Sequence, residues 1–555
     1  MERQLIDIEV YPNFFMLGIK DYYTGDTSYF EVSPWIDNRD QLYNWLCSFK
    51  GFVIGFNIIY YDNMVLAYIK TEFNELKNLT AEQFCFNVKQ FSDKVIHTDR
   101  YYEELRPYKY IFSRQWTDID LFLYWSKGLR QSKKISLKGL GIQLGYPVVM
   151  ELPYNPEEYL TKGQAEEIKV YNLKHDLGIL KLLLDAFTGK STIPLGNLGT
   201  VQLRKIASEQ YRVNAWSYDA PKIASEVLLK EYCRKTQQEP RDVRSLRFNR
   251  PSISFRELFK DVEFNFKSSL FKDVFEEWMS SFNSFSKEFV CVTKDDHGLK
   301  ISCGIGGLHN ILSNQIYTEE DSYEIIDIDI ESLYPQFIEN FKSFRFSEVL
   351  EQYLKFKTFR VTETKPNIKK FKGTSEETKW KDIDSFYKVI LNGVSGYLDM
   401  EYSWLFYPEG IMKVRCGGQL VLLTIIEECW LNNISVIQAN TDGLTVKIHK
   451  SKIDWFYQIV KETENKYNVK FEYEKYSKMV FKSVNSYLAI NKDGKVKKKG
   501  DFVTNPDLGN SVNFLVIPKC LELYFVKGIK PEEILKNPEN HGLHIYDFCA
   551  SFKVS

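Results

Sequence analysis

From Leu5 the chain alternates apolar and acidic positions, as Ile6, Asp7, Ile8, Glu9 and Val10. A period of two predicts a strand over 4–10 with Asp7 and Glu9 on one face. Strand-like runs recur at 52–56 and 118–124, and helical periodicity follows at 166–184; together they read as an α/β domain ending near residue 190. A turn-rich stretch over 188–200 marks its boundary. The next hundred residues carry a weaker pattern, with a helix over 221–233 and then a basic stretch, 234–250, of six Lys/Arg against two acids. Such a stretch is either a solvated surface loop or an element that contacts phosphate.

The strongest alternation lies at 323–331, where Ile326, Ile328 and Ile330 face one way and Asp327, Asp329 and Glu331 the other. Helices are predicted over 348–357, 376–391 and 418–430, and a hairpin over 435–450 that turns at Asn440-Thr441-Asp442-Gly443. No internal repeat or low-complexity tract interrupts the series. With 555 residues, 44% of them hydrophobic and 26% charged, the chain has the composition of a globular protein with several cores. Aromatic residues make up 15%, enough for dense cores or for platforms on which bases stack. The formal net charge of −1 means that any polyanion site must be local. Nine scattered cysteines form no CxxC pair, which argues against a zinc module and a secreted disulfide framework and fits a reducing compartment. The N-terminus lacks a basic-then-apolar signal pattern and the longest apolar run, 420–426, is too short to span a membrane; the expectation is a soluble, cytoplasmic protein.

The acids suggest the chemistry. Phosphoryl transfer on Mg²⁺ needs hard oxygen ligands, and paired ions need carboxylates from more than one segment. Asp329 near the end of its strand and Asp442 at the hairpin turn would meet if their strands were neighbours in one antiparallel sheet. An acidic strand face also serves as a plain solvated surface, so the wording around the acids decides between the two.

Asp329-Ile-Glu-Ser-Leu-Tyr-Pro335 resembles the DxxSLYP motif of family B DNA polymerases, Lys388-Val-Ile-Leu-Asn392-Gly-Val-Ser-Gly396 their KxxxNSxYG motif, and Asn440-Thr-Asp442 their DTD motif with Asn for the first Asp, as in bacteriophage members. In the N-terminal part, Asp7-x-Glu9, then Asn57 to Asp62, then Tyr171 and Asp176 resemble the three motifs of the family's 3′–5′ proofreading exonuclease. The third departs from pattern: four residues, not three, separate Tyr171 from Asp176, which puts Tyr171 in question as the group that orients the attacking water. Ser136-Leu-Lys138-Gly is similar to the segment between the second and third of these motifs, and Gly304-Ile-Gly306-Gly307 to the family's YxGG segment with Gly for Tyr. Asn485-Ser-Tyr487 stands where the family has KxY, without the Lys, and lies within a stretch, 482–499, with six lysines and one acid.

The resemblance implies two Mg²⁺ (or Mn²⁺) ions at each of two active sites. Asp329 and Asp442, with the Ile330 carbonyl, would bind the ions of the polymerase; Asp7, Glu9, Asp62 and Asp176 those of the exonuclease. Lys388 would neutralise the incoming triphosphate, Ser332 and Leu333 would offer it backbone N–H groups, Tyr334 would exclude a 2′-hydroxyl, and Asn392 and Gly396 would shape the base-pair pocket. DNA would meet Asn57, Lys138, Gly306, Gly307, Tyr487, Lys497, Lys498 and Lys499. The implied fold is α/β and α+β multidomain: an RNase H-like exonuclease over 1–190, a connecting region and start of the palm over 191–310, and an antiparallel-sheet palm over 311–345 and 426–515. Short helical fingers would occupy 346–425 and the start of a thumb 516–555, a minimal thumb or a truncated or split one. Partners would be primer-template DNA, single-stranded DNA and dNTPs, then a separate thumb polypeptide or replication accessory proteins, with no membrane. The gaps on either side of Lys388 leave no room for the large insertions of protein-primed relatives, so extension of an ordinary primer is expected. Two rivals stand beside this reading: an exonuclease-only protein with an inactive or split polymerase half, and a noncatalytic DNA-binding protein that keeps the folds.

Overall fold

The computed structural model describes residues 2–98, 103–125, 135–292, 298–310 and 313–550. The chain forms two compact units, one of Met1–Val227, Asn367–Ile390 and Asp507–Asn510, the other of Leu228–Pro366, Leu391–Pro506 and Ser511–Ser555. Both mix helices with sheets.

The first unit is built on a five-stranded sheet of β1 (Arg3–Tyr11), β2 (Phe14–Asp21), β3 (Thr27–Val32), β4 (Phe52–Gly55) and β5 (Thr117–Asp120), in the order β3-β2-β1-β4-β5. The β1–β2 and β2–β3 pairs are antiparallel, whereas β1–β4 and β4–β5 are parallel. Central strand β1 is covered on both faces. Ile6, Ile8 and Val10 pack into one core with Val65, Leu66 and Val88, while Leu5 packs on the other face with Leu177, Leu180 and Leu184. Asp7 and Glu9 share the face of Leu5, as alternation requires, and there Glu9 is buried and Asp7 half-buried.

Two expected elements differ here. The single helix expected over 166–184 is a helix at Lys162–Val170, a π-helical turn at Tyr171–Asp176 and a second helix at Leu177–Phe187. The strand expected over 118–124 stops at Asp120 and passes into a 3-10 turn at Leu121–Trp125. The cause is Asp120, wholly buried, whose carboxylate accepts the N–H groups of Asn57, Ile59 and Phe122 at 2.8, 3.1 and 3.1 Å.

The second unit carries β6 (Ser286–Val292), β7 (Gly298–Gly304) and β8 (His309–Asn310) in one small sheet. Its larger sheet holds β9 (Ser313–Thr318), β10 (Tyr323–Ile330), β11 (Ser435–Ala439), β12 (Gly443–His449), β13 (Phe471–Ser483), β14 (Ser486–Asn491) and β15 (Val496–Lys499). Its order is β11-β12-β10-β13-β14-β15, with β9 also against β13, and every pair is antiparallel. Ile326, Ile328 and Ile330 are buried on one face of β10, which leaves Asp327 and Asp329 to the other.

The other four expected helices are present and longer at their ends, at Ala220–Thr236, Ser347–Phe359, Ser375–Leu398 and Pro408–Leu431. The basic stretch over 234–250 is not all loop, because Pro240–Ser245 is helical with Pro at its first turn. No helix among the described residues is long and apolar enough to cross a membrane.

Candidate active sites

In the first unit, one carboxylate oxygen from each of Asp7, Glu9 and Asp176 lies within 4.8 Å of the others. Asp62 heads the helix Asp62–Thr71 and accepts the Ile8 N–H at 3.2 Å, between the two strand acids. Burial is the first cause of raised proton affinity throughout. It holds the Asp7 carboxyl well above the usual range, with the charges of Asp176, Asp62 and Glu9 adding to it. Glu9 is pushed up to about 8 by burial and by Asp176, against the opposing hydrogen bond from Asn172. Asp62 rises to about 7 through burial and the charge of Asp120. Asp176 is raised by burial, and one of its buried oxygens accepts no hydrogen bond among the described residues. Carboxylates crowded in this way are neutralised by protons or by a cation, and an all-oxygen donor set with an orphaned oxygen fits a hard divalent ion.

The π turn explains why both residues of the altered third motif reach this cluster. In a regular helix, residues five apart point to different sides, but a π turn closes i to i+5 and brings them onto one. Burial together with the Asp176 carboxylate raises the Tyr171 hydroxyl far above its usual range, and that hydroxyl hydrogen-bonds Asp176. The added residue therefore does not keep the Tyr171 hydroxyl from Asp176. Lys138 stands at the same place, its ammonium 5.3 Å from the Tyr171 ring centre and 3.0 Å from Glu151, and it lowers the proton affinity of Asp7, Glu9 and Asp176. Asn57 adopts a positive φ of 69° at the turn that Asp120 clamps.

In the second unit, β10 and β12 pair so that Asp329 stands opposite Gly443, and the Ile330 N–H donates to the Asp442 carbonyl at 2.7 Å. Gly443 is required by this approach, since a Cβ there would lie 2.0 Å from Asp329 Oδ1. The two motif acids thus flank one cleft of about 220 Å³, lined also by Asp327, Thr445, Tyr487 and Lys497. Burial, then Asp442, raises the Asp329 carboxyl. Asp327 is pushed up to about 7 by burial and by Asp329, although the Thr445 hydroxyl donates to it at 2.5 Å. Asp329 and Asp327 offer hard oxygen donors of the kind a divalent ion takes, with the exposed Asp442 beside them at the turn.

The lysines of β15 divide. Lys497 lies opposite Ala489 and donates to the Tyr476 hydroxyl at 3.3 Å. Burial works against its charge, but Tyr487, Asp327, Asp329 and Glu474 outweigh it and raise its proton affinity. Lys499 alternates onto the same face, and its charge reaches Asp329 and His309. Lys498 points the other way and is held by Glu522 at 2.7 Å and Thr504 at 2.6 Å. Tyr487 is buried, its ring centre 5.7 Å from that of Phe481.

The glycine loop docks on the Asp442 hairpin: a Cβ on Gly307 would meet Thr441 Oγ1 at 2.6 Å, while Gly306 is open. Gln419, wholly buried, clamps Gly304 by accepting its N–H at 3.0 Å and donating to its carbonyl at 2.8 Å. A side chain at Gly304 would lie 2.1 Å from the Phe285 carbonyl, so no tyrosine fits there. Ser332 adopts a left-handed conformation, φ 54°, and heads the helix Leu333–Phe341, which begins with the buried Leu333 and half-buried Tyr334. Its first N–H groups lack intrahelical acceptors. Lys388, Asn392 and Gly396 repeat every fourth residue on the exposed side of Ser375–Leu398, opposite the buried Phe386, Ile390 and Val394.

Sequence reading missed Asn172, Asp120, Asp327, His309 and Thr445. Asp327 was visible as a third acid on its strand face, and Asn172 only as the residue next to Tyr171. The others become neighbours of the acids only through sheet pairing and loop docking.

No family model matches the sequence, and no curated protein matches it. Among solved structures, the chain is similar to the family B DNA polymerase from the hyperthermophilic archaeon Pyrobaculum calidifontis, at 14% identity and a TM-score of 0.44. The similarity covers 90% of this chain and 60% of that one, so the chain spans less than two thirds of that polymerase's length.

Proposed function

We propose that the chain is a template-directed DNA polymerase of family B, of bacteriophage or viral type, with 3′–5′ proofreading exonuclease activity. The observation that carries this reading is the pairing of β10 with β12, which sets Asp329 beside the Asp442 turn. Two segments that resemble separate polymerase motifs thereby share one cleft. The second support is the cluster of Asp7, Glu9 and Asp176, with Asp62 beside it, on a mixed sheet compatible with an RNase H-like domain.

In the cleft, Asp329 and Asp442, aided by the Ile330 carbonyl, would hold two Mg²⁺ or Mn²⁺ ions. When bound, these ions stabilise the attacking and leaving oxygens of phosphoryl transfer. Lys388 neutralises the triphosphate, and the N–H groups of Ser332 and Leu333 donate to its oxygens. Tyr334 closes the sugar pocket against a 2′-hydroxyl, while Asn392 and Gly396 shape the space for the base pair. Lys497, Lys499 and Tyr487 face the primer backbone, and Gly306 and Gly307 the template. In the other centre, Asp7, Glu9, Asp62 and Asp176 would hold the ions, Tyr171 would orient the attacking water, and Lys138 and Asn57 would contact the single-stranded end. The domain limits given by the motifs, accessory replication partners and a place in the cytoplasm belong to the same proposal.

Single-nucleotide incorporation tests it. On a primed template the dNTP that pairs with the next template base should be added, and changing that base should change the dNTP chosen. Tyr334→Ala should admit ribonucleotides. Addition that ignores the template base contradicts the reading. One observation favours an exonuclease-only protein: among the described residues, three acids meet as one potential ion-binding group only in the first unit. Shortening of single strands without any primer growth would establish that alternative.

A further inference from the structure

Asn172 is wholly buried directly beneath the strand acids. Its amide nitrogen donates to Asp7 Oδ2 at 2.7 Å and stands 3.3 Å from Glu9 Oε1, so one NH₂ group bridges both carboxylates. Its Oδ1 accepts no hydrogen bond among the described residues. That oxygen rests over Gly18 of β2, the residue paired with Asp7, where a Cβ would stand only 1.9 Å away. A buried amide with half of its capacity unused is a poor choice for packing, because an unmade hydrogen bond inside a protein costs stability. A leucine would fill the same space without that cost.

The bridge acts on a specific difficulty. Asp7 and Glu9 stand two residues apart on one strand face, and like charges turn such side chains away from each other. The Asn172 amide draws one oxygen of each inward. The π turn that brings Tyr171 and Asp176 together also carries Asn172, the second residue of that turn, to the strand.

We propose that Asn172 is the positioning residue of this centre, holding Asp7 and Glu9 in the orientation that receives divalent ions, with Gly18 as the seat that keeps its amide turned toward them. This rests on the exonuclease reading of the centre. It assigns Asn172 no contact with the DNA and no part in moving protons.

The test is Mn²⁺ binding to the full chain, followed by the electron-spin signal of free Mn²⁺, for wild type, Asp7→Asn, Asn172→Leu and Gly18→Ala. The sites lost in Asp7→Asn identify the ions of this centre. Asn172→Leu and Gly18→Ala should each weaken those sites by about 10-fold or more, the scale seen when the partner of a metal ligand is removed. Saturating Mn²⁺ should then restore most of the rate at which single-stranded DNA is shortened. Retained cooperative thermal unfolding and unchanged primer extension separate this from a folding defect. Wild-type Mn²⁺ affinity in both variants would overturn the proposal while leaving the exonuclease reading intact. If Asp7→Asn removes no Mn²⁺ site and the wild type shortens no DNA, the exonuclease reading falls and takes the proposal with it.

Discussion

At Gly443 a methyl group would stand 2.0 Å from Asp329 Oδ1 and 2.4 Å from the Ile328 carbonyl. Backbone and the Asp329 carboxylate cannot both yield, so Gly443→Ala should cost about 1–3 kcal/mol, as overpacked sites do. It should also separate Asp329 from Asp442 and stop primer extension. Chemical denaturation and an extension assay check the two effects; a stable variant that still extends primers would mean that the approach of the acids is dispensable. The same scale shows which signals a sequence hides. Asp329 and Asp442 are legible because each sits in a recognisable string of residues. Asn172 is not, because an amide becomes chemically telling only when it bridges two carboxylates from a distant strand.

At the scale of elements, period-two alternation located β1 and β10 together with the face of each that carries the acids, and the turn residues located the β11–β12 hairpin. Strand order was not legible, since the pairing of β10 with both β12 and β13 joins segments far apart in the chain. Nor was the π turn, because a helical periodicity accepts one added residue without leaving a mark in hydrophobicity. Its presence nevertheless makes a sharp prediction. Lys174 is exposed within the turn. Deleting it should convert the segment to regular helix with Tyr171 and the following aspartate still on one face, and should retain most of the shortening activity. Inserting an alanine after Lys174 should swing Asp176 by about 100° and abolish it. Rates on a labelled single strand distinguish the two, and equal loss in both variants would contradict the role given to the π turn.

For the whole molecule, a formal net charge of −1 conceals two local concentrations of acid. Without divalent ions, Glu9 and Asp62 take up protons at about 8 and about 7, well above their ordinary range. The folded state therefore binds more protons than the unfolded one between about pH 4 and pH 8, and stability is lost as pH rises through that window. Divalent ions replace the protons. In EDTA the melting temperature should fall from pH 5.5 to pH 8, and Mg²⁺ should raise it more at pH 8 than at pH 5.5; calorimetry showing an equal rise at both values would contradict the cation sites. The central claim is that one chain carries two separate carboxylate centres with opposite effects on a DNA end. The measurement that tests it most directly follows an end-labelled primer on a template with Mg²⁺, with and without dNTPs, for wild type, Asp442→Ala and Asp7→Ala. Growth lost only in Asp442→Ala and shortening lost only in Asp7→Ala is the predicted result. Loss of both reactions in either variant, with the fold intact, or of neither, would contradict it.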